Sequence, residues 1–275
     1  MDSLQKYSVL MSLYGGEAPE FFDEALASMT CQTVLPDQIV IVKDGPVGSA
    51  LDAVLEKYVQ ASSVEFTIIS NDENKGLGFS LNRGLAVCRN ELVARMDTDD
   101  VSLPERCEMQ LAKFALDPSL DIVGSNVDEF EGEVGNVVST RRVPESQGQI
   151  YSFAKRRSAF NHPAVMYKKS SVLRCGGYGD LRRNQDVDLF GRMLYAGCAA
   201  YNIQKSLVLF RVGDNLSHRR KSWENTRSYI EVIRNLHDVG YSSWADVLVV
   251  SILQLGVFLA PVSVQSLLYR VFLRR

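Results

Sequence analysis

Neither cysteine nor histidine is set out for metal or disulfide chemistry in this 275-residue chain. The five cysteines (31, 88, 107, 175 and 198) form no CxxC pair, and the three histidines (162, 218 and 237) lie far apart. That argues against a structural zinc centre and a disulfide framework. The net charge of −3 leaves no basic excess for a general nucleic-acid binder, so no nucleic-acid partner is expected. The C-terminal apolar run, Val247 to Leu259, is too short at 13 residues to cross a bilayer, and Pro261 interrupts it. No signal peptide is recognisable at the N-terminus, which makes the cytoplasm the expected compartment. Internal repeats and low-complexity linkers are missing as well.

A hydrophobic share of 46% and a charged share of 23% describe a globular protein. Through the first hundred residues, strand-like and helix-like runs alternate. YSVLMSL, QIVIVK, VEFTIIS and ELVARM read as strands; PEFFDEALASM, SALDAVLEKYVQ and GFSLNRGLAVC read as helices. Continuous apolar strands between helices predict an α/β fold whose parallel sheet is covered on both faces. Ligands of such sheets bind beyond the carboxyl ends of the strands. The residues that follow each strand are therefore the ones of interest. After a helix over 103–116 the rhythm changes to an expected hairpin (DIVGSNVDEF, VVSTRRV), strands at HPAVMY and SLVLF, and helices over 186–196 and WENTRSYIEVIRNLHDVG. The expected division is a domain over 1–222, split near 116/117, and a C-terminal helical appendage over 223–275.

Three carboxylates, Asp97, Asp99 and Asp100, crowd into four residues of ARMDTDDVSLP at a strand end. Hard divalent cations such as Mg²⁺ or Mn²⁺ take carboxylate oxygens and complete their shell with phosphate. An acidic loop capping the next helix accounts for the cluster as well. NKGLGFSLNRG runs from a glycine-bearing loop into a helix N-terminus, a place where phosphate can approach closely. VKDGP sets Asp44 in an Asp-Gly turn, where its carboxylate could accept the N–H of a base or simply serve the turn. Between Arg141 and Arg183 ten Lys/Arg face only Glu145 and Asp180. This excess points to an anionic partner, either a phosphate-bearing substrate or a membrane surface.

In this order SLYGGE, IVKDGP, NKGLGFSLNRG, MDTDDVSLPER, NHPAVMYKKSSV, GGY and NQDVDLFGRML resemble the inverting glycosyltransferases of family 2 over roughly 7–219. The resemblance implies a GT-A fold, a Rossmann-like nucleotide-binding half with a mixed central sheet joined to an α+β acceptor half. It also implies that Leu13, Tyr14 and Asp44 surround the uracil of a UDP-sugar, with Asn82 and Arg83 near the base or donor. Asp97 would lie near the ribose, and Asp99 would hold Mn²⁺ or Mg²⁺ with Asp100 as an alternative ligand. The family's E-D motif stands here as Gln185-Asp186, one carboxylate fewer, and implies Asp186 as the catalytic base. Asp188 could equally be the acid that favours the helix N-terminus. His218 would add a metal ligand or sit in a loop, and Arg219 and Arg220 would touch phosphate. His162 is expected to be structural or to line the acceptor.

Such enzymes build O-antigen or capsule repeat units, so the expected reaction moves galactose or glucose from a UDP-sugar to a saccharide acceptor linked to a lipid diphosphate. The apolar C-terminal segment and its terminal arginines suit peripheral attachment at the inner face of the cytoplasmic membrane. Two other readings stand beside this one. A sugar-phosphate nucleotidylyltransferase would want a basic residue in the loop SLYGGEAPE, which has none. A decayed binding or scaffold protein would not need Asp44, Asp97, Asp99 and Asp186 together.

Overall fold

Three of the apolar runs of the first hundred residues, YSVLMSL, QIVIVK and LVAR, are buried on both faces because each strand feeds two separate cores; EFTIIS, expected to be covered likewise, lies at the sheet edge and is half exposed. In the computed structural model, which describes residues 5–213 and 222–260, β1 (Tyr7–Leu13) pairs in parallel with β2 (Gln38–Lys43) and β4 (Leu92–Arg95). β2 pairs in parallel with β3 (Glu65–Ser70). On β2, Ile39 and Ile41 pack with Phe22 of α1 (Pro19–Thr30) and with Leu51 and Leu55 of α2 (Ser49–Ala61). Val40 and Val42 face the other way, onto Leu81 and Leu85 of α3 (Leu77–Val87). α3 lies so close that a Cβ on Gly84 would overlap Leu10 Cδ1 and come within 2.8 Å of Val42 Cγ2. Only glycine admits that approach.

Beyond β4 the sheet turns mixed. β8 (Met166–Lys168) is antiparallel to both β4 and β6 (Leu120–Phe130). β9 (Ala199–Arg211) then runs parallel to β6 and antiparallel to the short β5 (Val101–Ser102). The order is β3-β2-β1-β4-β8-β6-β9-β5, with β7 (Val137–Arg141) paired antiparallel to β6 as the expected hairpin. Three details differ from the sequence reading. The helix expected from Leu103 starts at Arg106 and runs to Leu116 (α4), because Leu103–Pro104 are still held against β9 by a Leu103 N–H to Leu207 carbonyl bond. In HPAVMY the stretch His162–Ala164 forms a 3₁₀ turn, and only its end joins β8. Two helices went unnoticed, α5 (Gln147–Ala154) and α6 (Lys169–Arg174). The first is opened by a Ser146/Gln149 capping box, a signal present in the sequence.

α7 (Gln185–Tyr195), α8 (Trp223–Asp238) and α9 (Trp244–Leu259) complete the described chain. The last two are continuous with the core: Val232, Ile233, Leu236, Val247 and Val250 belong to the same cluster as Leu81 and Leu189. Gly191 lets α7 meet α8, since a Cβ there would sit 2.6 Å from Leu236 Cδ1. No helix of the described residues is long and apolar enough to cross a membrane.

Candidate active site

β1 lies between β2 on one side and β4 on the other, so the connections leave it in opposite directions and open a crevice at the carboxyl ends. Leu13 ends β1, buried, and Tyr14 follows it, exposed at the crevice. Asp44, just past β2, organises the opposite wall. Its Oδ1 accepts from Asn71 Nδ2 and from the Lys75 N–H, both at 2.8 Å, and its Oδ2 accepts from the Gly76 N–H at 2.9 Å. Gly76 precedes α3 at φ 94, a left-handed conformation that favours glycine. Asp44 therefore shapes the loop at the start of α3, and its Oδ2 keeps lone-pair capacity for one more donor.

Asn82 and Arg83, expected near the donor, have protein partners. Asn82 donates through Nδ2 to the Tyr178 carbonyl and accepts the Tyr178 N–H, both at 2.8 Å, which ties α3 to the loop before α7. Arg83 donates to the Ser70 carbonyl at 2.9 Å and to Asn71 Oδ1. Asn71 in turn donates to Ser80 Oγ and Asp44, so the region is one hydrogen-bonded unit.

The acidic loop after β4 brings one ligand atom each of Asp97, Asp99 and Asp100 within 4.8 Å of one another. At such spacing each like-charge pair repels by roughly 3 kcal/mol at an effective dielectric of about 20. The two later aspartates differ. Asp100 is fully buried; its Oδ1 accepts the Arg211 N–H at 2.9 Å, and its Oδ2 has no partner among the described residues. Burial, then the charges of Asp99 and Asp97, push its carboxyl well above the ordinary range. Asp99 is half-buried and opens to the crevice; burial, then Asp97 and Glu17, push it up to about 7. A partnerless buried carboxylate oxygen beside two other carboxylates fits a divalent cation, which would relieve both the repulsion and the unmet acceptor.

One cation is built in. Arg95, fully buried at the end of β4, is ion-paired with Asp97 through Nη2. Its backbone is fixed from behind by Arg106 of α4, whose Nη2 donates to the Arg95 carbonyl at 2.6 Å. Gln110, one turn later, donates to the carbonyls of Val123 and Ala164, tying β6 and the 3₁₀ turn to the same helix. The loop is held at its far side by Arg211, whose Nε donates to the Asp99 carbonyl at 2.9 Å, and by Glu17, which accepts the Thr98 hydroxyl at 2.7 Å.

Asp186 stands apart from this cluster, half-buried in the first turn of α7. Burial raises its carboxyl above the ordinary value, opposed by the backbone N–H groups of Val187 and of Asp186 itself, while Arg95 and Asp97 lie within electrostatic reach. Asp188 has a different part: buried, it accepts from Arg192 at 2.6 and 3.0 Å, and Arg192 also donates to the Gly177 carbonyl at 2.7 Å. Beside Asp186 lie Tyr178 and Tyr229, whose hydroxyls burial holds above the ordinary phenol range, with Asp186 adding to both shifts. His162 Nε2 meets the Tyr178 hydroxyl at 3.0 Å and its ring packs on Phe190. Burial, then Arg95, holds this imidazole well below its usual value, so it is neutral. His218, Arg219 and Arg220 lie outside the described residues.

Sequence reading missed Arg95, Glu17 and Arg211, which touch or face the acid cluster. An arginine two residues before an Asp triplet was the available signal for the first. Glu17 closes the SLYGGE motif, to which the sequence reading gave no acidic role, and Arg211 arrives from the end of β9, where nothing local marks it.

The geometry has relatives. A protein-family model described as "Glycosyl transferase family 2" matches residues 8–181. An uncharacterised glycosyltransferase of Haemophilus influenzae is 36% identical over 98% of this chain and all of its own length. The Escherichia coli UDP-Gal:alpha-D-GlcNAc-diphosphoundecaprenol beta-1,3-galactosyltransferase is 35% identical over the whole of this chain and 98% of its own. Among solved structures, S. aureus TarS 1-349 in complex with UDP-GlcNAc superposes with a TM-score of 0.67 at 16% identity, covering 97% of this chain and 73% of that one. The mannosyltransferase PcManGT from Pyrobaculum calidifontis, with GDP-Man and Mn²⁺, gives 0.67 at 14%, covering 98% and 76%. These structures share the GT-A fold with this chain. A nucleotide-binding half-sheet that continues into a mixed sheet, with an acid triplet at the end of β4, belongs with them: this chain is a member of glycosyl transferase family 2.

Proposed function

We propose that this chain transfers galactose, with inversion, from UDP-galactose to a GlcNAc residue carried on a lipid diphosphate during O-antigen or polysaccharide repeat-unit assembly. The observation that carries the reading is the pair of acidic poles, Asp97–Asp100 at the end of β4 and Asp186 at the start of α7, with buried Arg95 paired to Asp97 and within electrostatic reach of Asp186. The donor and acceptor classes follow the E. coli relative, which matches from end to end, and UDP-glucose is the competing donor. In this reading 1–116 form the donor half, 117–222 the acceptor half, and 223–275 the side that meets the inner face of the cytoplasmic membrane.

Tyr14 and Leu13 flank the uracil, and Asp44 Oδ2 accepts its N–H. Asp97, oriented by Arg95, takes the ribose. Asp99 and Asp100 would hold Mn²⁺ or Mg²⁺, with His218 as a further ligand; the cation, when bound, neutralises the charge of the departing diphosphate. Asp186 accepts the proton of the attacking hydroxyl. As that oxygen forms its bond to the anomeric carbon, the bond from that carbon to the phosphate oxygen breaks on the opposite face, UDP leaves, and the product is β-linked. A raised carboxyl suits a base working near neutral pH. Tyr178 and Tyr229 keep that carboxylate away from bulk water.

A nucleotidylyltransferase reading is disfavoured by the loop after β1, which turns Glu17 rather than a basic group toward Thr98. The deciding assay is product release. UDP release that needs both a divalent cation and the acceptor supports the proposal, whereas pyrophosphate release from UTP and a sugar phosphate overturns it.

A further inference from the structure

α9 exposes more large apolar side chains than any other element of the described chain. From Val247 to Leu259 it carries no charged residue. Leu248, Ile252, Leu255 and Leu259 recur along one exposed face with Leu253 beside them, and Leu259 is 76% exposed. Both tryptophans of the chain sit on this surface. Trp244 opens α9, 61% exposed and tilted against His237 with ring centroids 4.2 Å apart, and Trp223, 53% exposed, packs on Phe258 near the other end at 5.4 Å. Monomeric proteins rarely expose so continuous an apolar strip without a partner for it.

Both ends of the strip are basic. Beside the start of α9 an open cavity of about 1060 Å³ is lined by Lys155, Arg156 and Arg157 together with Ser243 and Asp246. Arg156 is ion-paired with Asp246. At the Trp223 end, Arg182 and Arg183 lie 3.8 and 3.5 Å from the one carboxylate of Glu224. This arrangement selects the occupant. If two copies met across α9, an antiparallel pairing would press Lys155–Arg157 against Arg182 and Arg183, and a parallel one would press each cluster on itself. A negatively charged lipid surface suits the balance of these groups, three cations against Glu145 and Asp246 at one end and two against Glu224 at the other: apolar side chains and tryptophans lie at the acyl boundary, Lys and Arg at the headgroups.

We infer that the exposed face of α9, with Trp223 and Trp244 at its ends and the Lys155–Arg157 and Arg182–Arg183 clusters as its rim, is the surface on which this protein docks on anionic lipid. The inference rests on the reading that the acceptor is carried on a lipid, and it adds an orientation. Tyr229 links this surface to the crevice: its hydroxyl donates to the Arg156 carbonyl at 3.4 Å, inside the basic rim, and lies within electrostatic reach of Asp186, so the Asp186 side of the crevice adjoins this surface.

The two tryptophans make the test direct. Full-length protein is mixed with vesicles of phosphatidylcholine alone or with about 30% phosphatidylglycerol, and vesicle-bound protein and tryptophan emission are measured. The expected result is a blue shift and at least about tenfold tighter binding with the anionic lipid, reduced by 0.5 M salt. Leu248→Glu/Ile252→Glu abolishes both, Arg157→Glu/Arg182→Glu weakens binding about tenfold, and Leu259→Glu, at the exposed helix end, weakens binding even if the double variant misfolds. Transfer to a short-chain, water-soluble diphosphate acceptor stays within twofold in Leu248→Glu/Ile252→Glu. No vesicle binding by a wild-type protein active on the soluble acceptor overturns the inference. So does a dimer in vesicle-free solution that Leu259→Glu dissociates. Vesicle binding without any transfer leaves the docking surface standing and removes the proposed reaction instead.

Discussion

Arg95 is fully buried against Asp97, and its Nε and Nη1 have no hydrogen-bonding partner among the described residues. A buried guanidinium with two unmet nitrogens is costly in isolation, and three carboxylates within 4.8 Å of one another are costly too. Each makes the other tolerable. The pair is the electrostatic hinge of the site, since Asp186, Tyr178 and His162 all feel the same charge.

Removing that charge should therefore act on the fold before it acts on substrate. Arg95→Met is expected to lower stability by about 3–5 kcal/mol, the usual cost of breaking a buried pair from one side. Urea denaturation measures it directly. Saturating Mn²⁺ should recover part of the loss, because the cation replaces the missing positive charge. A variant as stable as wild type in chelator would refute the role.

Asp100→Asn should do the reverse. The side chain keeps an oxygen for the Arg211 N–H, and the fold no longer holds a buried carboxyl whose ionisation is opposed by burial and by Asp99 and Asp97. Thermal unfolding in EDTA is expected to shift up by several degrees, while the Mn²⁺-induced shift disappears and transfer falls by at least about a hundredfold. Such stability gained at the expense of activity marks a strained functional site.

The pH dependence of stability has a definite sign. Asp99 binds its proton near pH 7 in the fold and near pH 4 when unfolded. Between roughly pH 4 and 7 the folded chain therefore holds more protons than the unfolded chain, and stability falls as pH rises through that window. Asp100 is shifted in the same direction. In EDTA the contribution of these two groups to the melting temperature should decline from pH 5 to 7.5. Because Mn²⁺ competes with those protons, its stabilising shift should grow over the same range. Unaltered pH profiles in Asp99→Asn and Asp100→Asn would contradict the assignment.

The two acids of α7 should separate cleanly. Asp186→Asn is expected to lose about 10²–10⁴ in kcat with the melting temperature within a degree or two of wild type. Asp188→Asn weakens the tie from Arg192 to the 175–177 loop and should lower stability by about 1–3 kcal/mol. Equal effects of the two substitutions on kcat would remove the distinction.

The parallel part of the sheet was legible because its physics is local. A strand buried on both faces must be continuously apolar, so β1, β2 and β4 stand out, and the crevice residues follow them in sequence. The acid triplet was visible for the same reason. Less was legible where long-range pairing decides. β5 has two residues and exists only because β9 runs past it, and β9 itself extends from Ala199 to Arg211, well beyond the apolar SLVLF. Asn82 matched a motif, yet its amide lies between the N–H and carbonyl of Tyr178, 96 residues away. Asp188, which resembled a helix-opening acid, pairs one turn on with Arg192; what the sequence did not reveal is that Arg192 also reaches the carbonyls of the 175–177 loop. Nor could sequence show how differently the neighbours Asp99 and Asp100 are buried: one is half-buried, and the other is sealed beneath Arg211.

The account's central claim is that the acidic loop after β4 and Asp186 are two ends of one inverting site. Its most direct test is an NMR determination of the anomeric configuration of the product formed from UDP-α-galactose and a GlcNAc-diphosphate lipid in the presence of Mn²⁺. A β-linked disaccharide with one UDP released per bond formed, absent with Asp186→Asn, is the predicted result. An α-linked product, or undiminished β-linked product from Asp186→Asn, would contradict it.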